Sequence, residues 1–332
     1  MLHVRVHPSA ATPAWRIWTA LGLVYVFWGS TYLGIRYVVD GGLPPLLTAG
    51  VRSLAAGLLL AAYLAVRRGR GAFRATRRQL LSAAGIGVLL LTGGNGGVTL
   101  AESHHLPSGL AALLVAGVPL FVVVLRALAR DRPSARTVLG VAIGFVGLAV
   151  LLLPGSRPTG VAFGAALTVV GSSLLWSVGS FTATRVSLPA DPLATTVVEM
   201  LGGAVGLLLA GALRGEQIPT SGVRASGVIG LVYLVLAGSV VAFTAYSWLL
   251  GVAPVSKVAT YAYVNPVVAV ALGALLVGED VTPTTVVGGA VTVLAVFVVV
   301  SQEGRRRVIV PAGAEEAYVP VERQGRSRSA RT

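Results

Sequence analysis

The sequence predicts an all-α integral membrane protein of ten transmembrane helices, formed by two inverted five-helix repeats. Three observations predict it. Of 332 residues, 55% are hydrophobic and only 11% charged, against about 25% charged in a soluble globular protein. So little charge cannot cover a fold exposed to water. The apolar residues gather into ten runs near the roughly 20 residues a helix needs to cross a hydrocarbon core of about 30 Å. The chain also repeats itself at a spacing of 147 residues.

The runs are too long and too continuously apolar for barrel strands, so each reads as a helix. After an N-terminal segment 1–16, the first run covers 17–38. It is too long for a signal-peptide core and has no clear small-residue cleavage site, so it reads as a retained span. Gly41-Gly42-Leu43-Pro44-Pro45 turns the chain into the second run, 46–66. An arginine-rich loop precedes the third, 79–98, which ends in Gly93-Gly94-Asn95-Gly96-Gly97. The fourth, 106–129, carries Pro119, and the fifth is 137–153. Pro154-Gly155-Ser156-Arg157-Pro158 then separates the two halves. The second half holds 160–184, 193–213, 225–250, 254–277 with Pro266, and 284–301. Residues 302–332 are basic, polar and without helical period, and read as a disordered tail able to touch anionic lipid. The expected units are therefore 1–16, a first repeat 17–153, a second repeat 160–301 and the tail.

A net charge of +14 is often the footprint of a nucleic-acid binder. Here the basic residues lie between apolar runs rather than on one wet face, so they read as an orientation code and no nucleic-acid partner is expected. With the N-terminus cytoplasmic, 21 Lys and Arg fall inside, four outside, and Arg52 within a span. That bias predicts a multi-pass protein of the cytoplasmic membrane with both termini inside. There is no cysteine, which excludes disulfides, Fe–S clusters and thiolate metal sites. The four histidines lie in loops and the N-terminal segment, so no metal or other cofactor is expected.

The 147-residue shift places Pro45 on Pro192, Pro107 on Pro254, Pro119 on Pro266 and Arg67 on Arg214. A shift of 148 places Trp28 on Trp176 and Gly140 on Gly288. With 17 prolines, about half a Pro–Pro match is expected by chance, so three mark a real repeat. Five spans is an odd number, so the second copy enters the membrane upside down. The loop charges agree: six Arg in 67–78, two in its counterpart 214–224. Inverted repeats are a secondary-transporter architecture that holds substrate near the midplane between the halves.

Trp28-Gly29-Ser30-Thr31-Tyr32-Leu33-Gly34-Ile35-Arg36 resembles the opening motif of EamA-type members of the drug/metabolite transporter superfamily. So do Ala101-Glu102-Ser103-His104-His105-Leu106-Pro107-Ser108-Gly109 and Val118-Pro119-Leu120-Phe121. Ser256 to Val268, followed by Gly278-Glu279, is similar to the family's ninth helix. The resemblance covers about 17–301 and looks most like the YedA-like branch. It implies ten helices, two inverted repeats and export of small metabolites or drugs, in a family whose branches handle amino acids, sugars, nucleosides and toxic compounds. Lys257 is the only lysine, a departure that reads as preference for Arg.

Ionisable groups inside spans are costly and usually functional. Arg52 and Glu199 are one repeat apart and in opposite leaflets. They read either as a proton- or substrate-linked pair flanking a cavity or as structural charges. Glu102 reads either as a loop acid at a helix start, favoured by the helix dipole, or as a gate or proton carrier. Glu279 and Asp280 read as solvated. Lys257 either snorkels to the interface or meets an anionic substrate group. Pro119 and Pro266 each remove a helix hydrogen bond, giving a kink beside a path or plain curvature. Trp28, Tyr32, Trp176, Tyr261 and Tyr263 suit an aromatic cavity or interfacial belts, with Asn95 and Asn265 as neutral polar partners. Gly140/Gly144, Gly160/Gly164 and Gly202/Gly206 read as packing contacts.

These readings predict secondary-active export of a small organic metabolite or drug by alternating access, with protons as a candidate coupling ion. The bilayer and a small-molecule substrate are the expected partners, and the protein is a monomer or homodimer. A passive facilitator or exchanger is the alternative. There is no G-x-x-x-x-G-K-[ST] loop for ATP. A membrane-embedded enzyme would need paired acids or a metal motif within the spans, which are absent, so no enzymatic activity is expected.

Overall fold

Why these runs settle as helices follows from their setting: in lipid the backbone can satisfy its polar groups only within a helix or a closed barrel. The computed structural model describes residues 13–153, 162–219, 221–253 and 255–306. Among them it is all-helical. The first half contains α1 (Ala14–Gly29), α2 (Thr31–Asp40), α3 (Pro45–Arg68), α4 (Arg77–Gly87), α5 (Gly96–Ser103), α6 (Ser108–Val115), α7 (Val118–Leu128) and α8 (Ala135–Leu152). The second contains α9 (Phe163–Ala183), α10 (Pro192–Leu213), α11 (Ala225–Tyr233), α12 (Ala242–Val252), α13 (Val255–Val258), α14 (Tyr261–Val277) and α15 (Pro283–Arg306).

Eight helical stretches are long and apolar enough to cross a membrane, and α14 is a shorter apolar helix of 17 residues. The difference from ten has local causes. The first run is divided at Ser30 into α1 and α2, of 16 and 10 residues. Ser30 Oγ there bonds the Val26 and Phe27 carbonyls of the preceding turn, a competition with the helix ladder that Ser readily enters. The ninth run is split into α13 and α14 by a turn at Ala259 and Thr260. At the C-terminal end, α15 extends to Arg306, past the expected boundary at 301. Most of the N-terminal segment, the 154–158 turn, Gly160, Pro254 and residues 307–332 lie outside the described residues.

Two spans carry a feature that composition does not reveal. Between α4 and α5 the helix widens into a π-helical segment, Val88–Asn95, and between α11 and α12 into another, Leu234–Val241. They are 146 residues apart, so the two halves share them. Such i→i+5 turns re-aim side chains and release carbonyls, and they concentrate at functional sites.

The packing obeys an exchange of the two halves. α3 lies along α10, α8 along α15, and α6 against α14; each pairs an element with its own repeat counterpart. α9 packs on the first π segment while α1 and α2 pack on α12 and α11, which is the same contact seen from each half. Gly202 meets Ala84, Gly206 meets Thr92, Gly140 meets Val299 and Gly144 meets Leu120, whereas Gly164 has nothing within 4 Å.

Loops gather at two ends. At one end Glu216 accepts the Leu46 and Leu47 amides of α3, at 3.0 and 2.9 Å by Oε2. At that end also, Glu279 accepts the Ser108 and Gly109 amides of α6, at 2.8 and 3.0 Å. At the other end Arg68 pairs with Asp191, and Gln79 Nε2 donates to the Leu188 carbonyl at 3.0 Å.

Candidate functional site

Residues at or beside the helix breaks and π segments, among them Thr31, Gly94, Asn95, Ala116, Ser239 and Tyr261, line a cavity of about 170 Å³ between the halves. Both repeats line it. Repeat-related pairs recur in its wall: Trp28 with Trp176, Val115 with Ala262, and Pro119 with Pro266. Each pair places two elements around the same pseudo-two-fold.

Trp28 is the best-anchored wall residue. Its Nε1 donates to the Gly238 carbonyl in the second π segment at 3.1 Å. Its ring meets Phe243, Tyr246 and Tyr261 at centroid distances of 5.1, 5.0 and 5.0 Å. Edge-on and tilted geometries of this kind suit aromatic quadrupoles. Trp176 stands across the wall against Gly94 of the first π segment, where a Cβ would approach the indole within 2.7 Å. Only glycine allows the ring this close. Tyr32, Asn95, Tyr261 and Asn265 also line the space.

Arg52 brings charge to this wall. It is buried on α3, and its Nε donates to Ser239 Oγ of the second π segment at 3.0 Å. No carboxylate pairs with it among the described residues, and its terminal nitrogens make no hydrogen bond. Asn265 is also buried, with Oδ1 unpartnered.

Other candidate residues stand apart. Tyr263 does not line the cavity; it meets Phe297 of α15 edge-on at 5.4 Å. Tyr261 and Asn265 are one helical turn apart and share a face, whereas a residue two positions from each points away. Glu199 is half-buried on α10, outside the lining, and no ion pair joins it to Arg52. Its own carbonyl is pressed against Gly87. Lys257 lies with Nζ 4.4 Å from the Trp18 ring centroid, a cation–π contact away from the cavity. Pro119 and Pro266 do line it, in different ways. Pro266 is inside α14, but Pro119 occupies the first turn of α7, after the chain has already broken at Ala116 and Gly117.

Glu102 is neither a loop acid nor at a helix start. It lies in the last turn of α5, is 0% exposed, and both carboxyl oxygens lack a partner. Asp191 caps the start of its own helix α10, whereas Glu216 and Glu279, the latter read from sequence as solvated, serve helix starts of the other half. The targets of these two are about 170 residues away in the chain, so no local pattern signals them.

The chain matches the EamA-like transporter family over residues 16–153 and again over 163–301. It is 42% identical over 280 residues to the "Uncharacterized inner membrane transporter YedA" of Escherichia coli (strain K12), covering 84% of this chain and 89% of that one. At 26% identity it is similar to a "Probable terminal-alkyne amino-acid exporter" of Streptantibioticus cattleyicolor, covering 88% and 95%. At 23% it is similar to a "Probable amino-acid metabolite efflux pump" of Salmonella typhimurium, covering 83% and 92%. A crystal structure 20% identical in sequence shares the fold with a TM-score of 0.59, covering 88% of this chain and 98% of its own. A multi-pass helical bundle of two like halves around a central cavity is the fold of a membrane transporter. This chain belongs to the EamA-like transporter family, within the drug/metabolite transporter superfamily.

Proposed function

We propose that this protein exports a small organic molecule across the cytoplasmic membrane by alternating access, with the substrate held in the cavity between the two halves. The cavity itself carries the reading. It is walled by both repeats, is rich in aromatic and neutral polar groups, and lies between the halves, as the substrate site of an inverted-repeat transporter does. Two relatives named a probable terminal-alkyne amino-acid exporter and a probable amino-acid metabolite efflux pump support outward transport. On this reading the broken first and ninth helices complete a set of ten spans. The arginine-rich end, with Arg67, Arg68, Arg77 and Arg78, faces the cytoplasm.

Glu102 is the coupling group in this proposal. Both of its carboxyl oxygens are buried without a partner, and such burial of a carboxylate anion is costly, so the group is suited to exchange a proton as its surroundings change. Hydration of that end on opening would release the proton. Arg36, Asp40 and Glu279 are the charged neighbours whose fields reach it, and Tyr32, a cavity residue, is its titratable neighbour. Glu199 is the second acid in a span, but it lies off the cavity wall.

Reconstituted vesicles test the reading. Ligands found by thermal shift are offered with and without an imposed pH gradient. Gradient-driven accumulation that an uncoupler abolishes supports coupled export. Equal transport with the gradient collapsed would instead mark a passive exchanger.

A further inference from the structure

Among the described residues, Arg52 is the one charged group in the cavity wall, and no counter-charge pairs with it. No acidic residue lies in the lining that the described residues form. Its Nε is held by Ser239, and Nη2 lies against Gly238, 3.5 Å from where a Cβ would stand. Fixed at one edge, the guanidinium keeps its remaining donors for the cavity. A buried cation without a partner is expensive in a low-dielectric setting. An anion that enters the site removes that cost, and a planar fork of donors matches a carboxylate in two-point fashion. The rest of the wall specifies the body of such a ligand. Trp28, Trp176 and Tyr261 offer aromatic faces, and the unpartnered Oδ1 of buried Asn265 accepts a hydrogen bond from a ligand N–H or O–H. A cavity of about 170 Å³ limits that body to a small ring system.

We infer that Arg52 reads an anionic group, and that the ligands of this cavity are small aromatic carboxylates bearing a hydrogen-bond donor, not organic cations. The inference rests on the transport reading of the cavity and narrows its substrate class. An organic cation finds no acid in the wall and meets Arg52 directly, so the site repels it.

Four indoles of nearly equal size separate the charge classes: indole-3-acetate (anion), tryptophol (neutral), tryptamine (cation) and tryptophan (zwitterion). Binding to the purified full chain in detergent is measured by calorimetry. Indole-3-acetate should bind about tenfold or more tighter than tryptophol, the size of effect that one hydrogen bond to a charged group supports. Tryptamine should be the weakest. In Arg52→Gln the ratio of indole-3-acetate to tryptophol affinity should fall to about one, and Arg52→Lys should keep part of it. If Arg52→Gln fails to fold, Arg52→Lys and the wild-type ranking still decide the matter. Tryptamine binding as tightly as indole-3-acetate overturns the inference. So does failure of indole-3-acetate to bind, or an unchanged ratio in Arg52→Gln. Transport of a neutral or cationic ligand by the wild-type protein would sink the anion reading and leave the export reading standing.

Discussion

Glu279 and Ser108 belong to different halves of the chain, yet Glu279 Oε1 accepts the Ser108 amide at 2.8 Å. The same carboxylate takes the Gly109 amide with its other oxygen, so the end of the ninth run clamps the start of the fourth. Glu216 does the same for α3. At this end of the bundle, acids of the second repeat hold helix amino termini of the first.

Removing that clamp has a predictable cost. Glu279→Ala leaves two amides and a positive helix end without an acceptor and should destabilise the protein by about 1–2 kcal/mol. Glu279→Gln keeps one acceptor oxygen and should cost less. Thermal unfolding of the purified protein gives the order wild type, Gln, Ala; identical midpoints for all three would contradict the clamp.

Gly87 and Gly171 should respond in opposite ways to alanine. A Cβ at Gly87 would collide with the Glu199 carbonyl and backbone, forcing α4 off α10. Gly87→Ala should sharply reduce folded yield. Gly171 has nothing within 4 Å, and Gly171→Ala should be neutral or raise stability by up to about 1 kcal/mol through helix propensity. Size-exclusion profiles and melting midpoints check both.

Two of the five tryptophans, Trp28 and Trp176, line the cavity, while Trp15, Trp18 and Trp248 are 64%, 57% and 38% exposed. A variant with the three exposed tryptophans changed to Phe should keep ligand-induced quenching of its fluorescence. Quenching that survives in Trp28→Phe/Trp176→Phe would place the ligand elsewhere.

Glu102→Gln should fold well, because no hydrogen bond or ion pair is lost with the carboxylate. In vesicles it should still move substrate, but with a rate indifferent to an imposed pH gradient. A gradient response equal to wild type would remove Glu102 from the coupling role.

The apolar runs and the repeat were legible in the sequence because both are long-range regularities. A hydrocarbon core demands about 20 apolar residues, and Pro119 and Pro266, 147 residues apart, mark the two copies. Trp28, Trp176, Tyr32, Tyr261, Asn95, Asn265 and Arg52 could be named because aromatic, amide and charged groups deep in a span are rare. The π segments were not legible. Val88–Asn95 and Leu234–Val241 have the composition of the helices around them, and their widened register is set by packing. Nor was the burial of Glu102 or the reach of Glu279. Each depends on which element folds over it, and the partners are distant in the chain. Tyr261 and Tyr263 share their aromatic character, but helical periodicity points them apart.

The central claim is that substrate occupies the cavity between the halves. Val115 lines it, and Val115→Trp fills that space with an indole. Counterflow of a radiolabelled ligand, chosen by the tryptophan assay, is measured in vesicles containing wild type or this variant. The account predicts that Val115→Trp elutes as a folded protein and loses counterflow almost completely. A folded Val115→Trp that exchanges the ligand at the wild-type rate would contradict it.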